Sequence, residues 1–170
     1  MARMDPIYEF KADHAKVRDS LLNLIEAINK RDASKALEIL VHLDNLVGPH
    51  FRWEEESLYP IMEKFFGRQH HLYLLSAHDR IVKRAKELLE VLKKGSISPE
   101  EAKVLADIIR NEVLPHPIEC EGITLFAEKL IEEELERLRV DLERARRENV
   151  PLLEWSDKIK DAERKKRGIS

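Results

Sequence analysis

Residues 32–67 read DASKALEILVHLDNLVGPHFRWEEESLYPIMEKFFG. Leu37, Leu40, Leu43, Leu46 and Val47 recur at helical spacing, and Leu58, Ile61, Met62 and Phe65 continue the stripe. Asp32 is placed to cap the start, and Gly67 to end the helix. Gly48-Pro49 is expected to interrupt it halfway. In the middle stand His50 and Glu54, four residues apart, so both side chains leave one helix face within about 6 Å of each other.

The same pattern extends outward in both directions. Upstream, Ile7, Phe10, Val17, Leu21, Leu24, Ile25 and Ile28 line a stripe that Asp5-Pro6 begins. Downstream, Leu74, Leu75, Ile81, Ala85, Leu88 and Leu92 predict a helix over about 69–94, stopped by Gly95. Ser98-Pro99-Glu100-Glu101 combines an N-cap, a first-turn proline and a capping-box glutamate, with Val104, Leu105, Ile108, Ile109 and Val113 behind it. That helix is expected to break at Pro115-His116-Pro117 and to resume from roughly Gly122 to Asn149. Pro151 then separates a short fifth helix over 152–166. Strand signals are nearly absent. Four long amphipathic segments on short turns predict an all-α, up-down-up-down four-helix bundle. The expected division is a bundle over 1–130 and a charged helical extension over 131–170.

The chain has 170 residues, 43% hydrophobic and 37% charged, with a net charge of -3. This balance offers no overall field for nucleic acid or anionic lipid, so neither is expected as a partner. One cysteine, Cys120, excludes an internal disulfide. No signal-peptide h-region and no apolar run of membrane-spanning length occurs, and a cytoplasmic location is expected.

Of seven histidines, four fall once per predicted long helix: His14, His50, His78 and His116. There is a two-fold echo in the chain. Ala12-Asp13-His14 resembles Ala77-His78-Asp79, and His50 to Pro60 resembles His116 to Phe126. Glu54 accompanies His50. Glu121 stands five after His116, where an ideal helix turns it away, so a bulge or kink near Pro115 and Pro117 would be needed to realign it. Glu119, at three, is its rival. Imidazoles and carboxylates between helices suit iron, manganese or zinc, and two carboxylates can bridge two ions. His42, eight residues from His50, is too far along the helix for a shared ion, and His70 and His71 are read as lying near a helix start. Glu55 is read as a substitute ligand or as an acceptor that orients a histidine. Cys120 is read as a small core residue, with a thiolate ligand or redox sensor as the sharper alternative.

At His14, His50-x-x-x-Glu54 with Leu58-Tyr59-Pro60, His78, and His116-x-x-x-x-Glu121, the sequence resembles the hemerythrin-like, or HHE cation-binding, family. The ordered match covers about residues 5–130. The resemblance implies a non-haem di-iron centre in which His14 and His50 hold one iron, His78 and His116 the other, and Glu54 and Glu121 bridge them. Manganese or zinc are the other metals considered. Leu74 stands where oxygen carriers of the family have a further histidine, so a ligand set of four His and two Glu points to binding or sensing of O2, NO or iron. A binding role is read ahead of catalysis. The alternatives are a helical interaction module with a structural or absent metal, and a di-iron oxidase or peroxidase. The apolar seam Leu130, Ile131, Leu135, Leu138, Leu142 marks the extension as a candidate homo-oligomer contact.

Overall fold

The computed structural model describes residues 2–169. Among them there is no strand, and nearly every residue is helical. Helix α1 (Pro6–Asn29) starts on Asp5, whose Oδ1 accepts the N–H groups of Ile7 and Tyr8. Such a cap contributes about 1 kcal/mol. Arg31 turns the chain at a φ of 59°, and Asp32 accepts the N–H of Lys35 to open α2 (Ala33–Trp53). So short a link lays α2 back along α1.

The expected break at Gly48-Pro49 does not occur, because α2 runs through both residues. Gly48 serves another purpose: a Cβ there would lie 2.1 Å from the carbonyl oxygen of Val150 and 2.6 Å from the nitrogen of Leu152. The C-terminal part of the chain crosses α2 at this point, and only glycine admits it. The distortion comes later, in a π segment over Glu54–Leu58 that closes with the Tyr59 N–H on the Glu54 carbonyl. Pro60 follows and has no N–H for the carbonyl of Glu56, which favours the wider turn before it.

Helix α3 (Tyr59–Phe66) ends at Gly67, whose φ of 86° reverses the chain into α4 (Arg68–Leu92). α5 (Pro99–Ile108) carries the expected capping box, with Ser98 and Glu101 satisfying each other's backbone N–H. A second π segment covers Ile109–Val113, again just ahead of a proline. α6 (Pro115–Glu121) passes into a 3-10 stretch, Gly122–Lys129.

The helix expected to resume at Gly122 starts instead at Glu132. Leu130 and Ile131 are extended, and the Ile131 N–H is taken by Glu134 Oε2 at the head of α7 (Glu132–Glu148). α8 (Leu152–Lys158) and α9 (Lys160–Lys166) complete the chain.

α1 packs on α2 and α5, and α2 and α3 pack on α4. α7 lies along α2 and α1, and α8 rests on α2 and α4. The seam residues Leu138 and Leu142 are buried within the chain itself, and Trp53 Nε1 donates to the Leu138 carbonyl at 2.9 Å. Two apolar clusters result, one around Leu24, Ile28, Leu92 and Ile109, the other around Phe10, Trp53, Tyr59 and Leu138. Both clusters reach the histidines: Phe51 of the first packs on His78, and Phe10 of the second on His14 and His50. No helix among the described residues is long and apolar enough to cross a membrane.

Candidate metal centre

His14 on α1, His50 on α2, His78 on α4 and His116 on α6 are all buried, with 0 to 5% of their surface exposed. Three of them share one arrangement. His14 Nδ1 donates to Glu121 Oε2 at 3.0 Å, His50 Nδ1 to Asp13 Oδ2 at 3.2 Å, and His78 Nδ1 to Glu55 Oε1 at 2.8 Å. A carboxylate on Nδ1 fixes the ring and its tautomer and leaves Nε2 as the inward atom, the usual support of a metal-binding imidazole.

The inward atoms converge on Glu54, whose side chain is fully buried. Glu54 Oε1 lies 3.1 Å from His50 Nε2 and 3.8 Å from His14 Nε2, and Oε2 lies 3.0 Å from His78 Nε2. His14 Nε2 and His50 Nε2 face each other at 3.1 Å. The π segment has a direct consequence here. Consecutive residues of an α-helix point ~100° apart, yet the wider turn keeps both Glu54 and Glu55 inside, at 0 and 2% exposure. One reaches the four-histidine centre and the other reaches back to orient His78.

Two of the supporting carboxylates are themselves held by arginines from the C-terminal helices. Arg146 on α7 donates to Asp13, and Arg164 on α9 donates to both oxygens of Glu55, at 2.8 and 2.7 Å, and to Asp79. Neither arginine stood out in the sequence. Their partners sit 133 and 109 residues away, and each lies in a run of charges where no periodic signal separates it from its neighbours.

The charges follow this geometry. Burial opposes ionisation of Glu54, but the charge on His50 and the close approach of the His14, His50 and His78 imidazoles outweigh it and hold the carboxyl well below its usual range. Burial likewise works against a charged His50, but Glu54 and Asp13 prevail and lift its pKa to about 10. Asp13 and Glu55 stay low despite burial, through His50 and Arg146 for the one and Arg164 and His78 for the other. His116 goes the opposite way. Burial and the neighbouring charge on His78 push it down to about 3.

His116 is also the exception in bonding, since neither of its ring nitrogens has a hydrogen-bond partner among the described residues. Glu54 Oε2, despite its distance to His78, lacks the alignment of a hydrogen bond as well. Unpartnered imidazole nitrogens and a fully buried carboxylate are costly unless a further group satisfies them. A cation fits that need. Two sets of donors, His14, His50 and Glu54, and Glu54, His116 and Cys120, each bring three ligand atoms within 4.8 Å of one another.

The structure thus brings His14, His50, Glu54, His78 and His116 together. Glu121 stands on the outer nitrogen of His14, with 40% of its side chain exposed. Its rival Glu119 is exposed and accepts from the Tyr73 hydroxyl. His42 is exposed; His70 and His71 lie in the first turn of α4, as expected, His70 half-buried and His71 buried with Nδ1 on Glu63 Oε2. Beside the histidines opens a cavity of about 310 Å³ whose lining, beyond His14, His50 and His116, is mainly apolar, including Phe51, Leu24 and Ile109.

Helices that gather imidazoles and carboxylates around a shared buried glutamate place this chain in the class of all-α proteins with an interhelical cation site. The family model of the hemerythrin HHE cation binding domain matches residues 5–117, and the chain belongs to that family. Comparison with curated proteins and with solved structures gave no match.

Proposed function

We propose that the chain is a non-haem di-iron protein with an up-down-up-down four-helix core, which binds or senses O2, NO or iron in the cytoplasm. The observation that carries this reading is the convergence of three buried imidazoles, His14, His50 and His78, on the two oxygens of Glu54, with a fourth, His116, within 4.8 Å of that carboxylate and without a hydrogen-bond partner at either nitrogen among the described residues. His14 and His50 would hold one ion, His78 and His116 the other, and Glu54 would be shared. Donors of nitrogen and carboxylate type suit iron, with manganese and zinc as competitors. When bound, the metals supply redox chemistry and open positions for a small ligand.

The protein's own residues account for selectivity and orientation. Asp13, Glu55 and Glu121 keep three Nε2 atoms turned inward. Phe51 stacks on His78 with ring centroids 3.7 Å apart, and Phe10 packs on His14 and His50. These rings pack against the faces of the imidazoles and hold them in place. The mainly apolar cavity favours an uncharged diatomic gas over a charged metabolite, which would be desolvated there without partners.

Metal analysis after aerobic purification, with an electronic spectrum, tests the reading. Two irons per chain and an oxo-bridge charge-transfer band in the near ultraviolet are expected. A chain that takes up no iron on anaerobic reconstitution would overturn it.

A further inference from the structure

We propose that Cys120 is a metal ligand, so that Glu54, His116 and Cys120 form a subsite of mixed oxygen, nitrogen and sulfur donors beside the His14, His50, Glu54 set. This rests on the metal-binding reading above and concerns which side chain α6 contributes to it.

A buried lone cysteine is by default an inert packing residue. Cys120 lacks the surroundings of one. Its Sγ is fully buried, 2.9 Å from Glu54 Oε1 and 3.0 Å from the Tyr59 hydroxyl. Its ligand atom lies within 4.8 Å of those of Glu54 and His116. His116 provides the independent observation: it is 4% exposed, with two ring nitrogens that no group among the described residues satisfies. Glu54 Oε2 is unpartnered too. Three donors of different elements thus face one another while two of them have free coordinating atoms.

Helix geometry explains why the cysteine faces inward. Cys120 stands four residues after His116 within α6, so the two share a face. Glu121, one residue on, is rotated off that face and bonds His14 Nδ1 instead. The place that Glu54 holds relative to His50 is therefore taken, relative to His116, by a thiol.

In the metal-free chain the thiol proton lies on the Sγ-to-Glu54 hydrogen bond. On binding, the S–H bond breaks, a sulfur–metal bond forms, and the proton leaves to solvent. One thiolate and the shared carboxylate then offset the charge of a divalent ion. Sulfur with imidazole selects zinc, cobalt or ferrous iron over magnesium and calcium, which take oxygen.

The test uses the full chain loaded with cobalt(II) and, separately, zinc(II), compared with Cys120→Ser and Glu121→Gln. Wild type and Glu121→Gln should show a thiolate-to-cobalt charge-transfer band and, at the zinc edge, a sulfur shell at about 2.3 Å. Cys120→Ser should lose both features while keeping metal at the His14–His50 set. Its second ion should weaken by more than the ~10–100-fold that loss of an outer supporting residue costs. Metal bound by wild type without a sulfur shell or charge-transfer band overturns the thiolate assignment and leaves the metal reading standing. No uptake of either metal overturns both. If Cys120→Ser does not fold, the wild-type cobalt band and zinc spectrum decide alone.

Discussion

His50–Pro60 and His116–Phe126 both follow a histidine with an acid and then with Leu and an aromatic residue, yet they fold differently. In the first, an α-turn links His50 to Glu54, whose N–H bonds the His50 carbonyl, and the π segment starts at Glu54 itself. In the second, the π segment ends at Val113, before His116, and the chain tightens to 3-10 from Gly122. A bulge upstream of a pair rotates both members together and leaves the angle between them unchanged. His116 and Glu121 therefore keep the divergence of a five-residue spacing, while Cys120 inherits the inward direction. The two stretches teach that position of a helical defect, more than its presence, decides which side chain reaches a centre.

The widest test of this contrast sets Glu54 against Glu121. Glu54→Ala removes the oxygen donor common to both sets, and iron retained after dialysis should fall to background for both ions. Glu121→Ala removes only the support of His14 Nδ1, and should cost about 10–100-fold in affinity with the stoichiometry kept at saturating metal. Equal loss in the two variants would show that Glu121 is a central donor after all.

A smaller effect is expected at the arginines that hold the supporting carboxylates. Arg164 is 12% exposed and spans both oxygens of Glu55, whereas Arg146 is 34% exposed and shares Asp13 with His50. Removing one partner of a buried pair leaves the other charge uncompensated, and the penalty grows with burial. Arg164→Ala should therefore weaken metal binding by about tenfold, and Arg146→Ala by less. Competition with a chelator of known affinity measures both, and the reverse order would break the ranking.

Much of this was legible beforehand, for reasons that can be named. Local signals carried the helices: Asp5-Pro6, Asp32, Gly67 and the Ser98–Glu101 box act within one turn of themselves. The His50–Glu54 pair was legible for the same reason, since an i to i+4 spacing states its own geometry. Gly48-Pro49 does not break the helix, and the reason for the glycine lies 102 residues on, where Val150 crosses it. Glu121 stands on the outer nitrogen of His14 and not at the centre, because sequence marks that Pro115 perturbs a helix without marking on which side the extra residue is absorbed. Arg146 and Arg164 were invisible because their carboxylate partners become neighbours only once the C-terminal helices fold onto α1, α2 and α4.

A last contrast separates His50 from His116 in the metal-free chain. His116 is depressed to about 3 in the folded state, below the ~6.5 of an unfolded histidine. Between those values the unfolded chain binds the extra proton, so stability is lost as pH falls below 6.5. His50, raised to about 10, reverses the sign: its contribution is full below 6.5 and is lost as pH rises toward 10. Each group adds a slope of at most about 1.4 kcal/mol per pH unit in its own window. Urea unfolding of the metal-free chain should show the acid-side slope reduced in His116→Gln and the alkaline-side slope reduced in His50→Gln. Asp13, Glu54 and Glu55, all held low by their cationic neighbours, add to the acid side in every variant whose histidines remain charged. If His116→Gln leaves the acid slope of wild type intact, those carboxylates carry it, and the histidine of α6 is neither as dry nor as isolated as its unpartnered nitrogens imply.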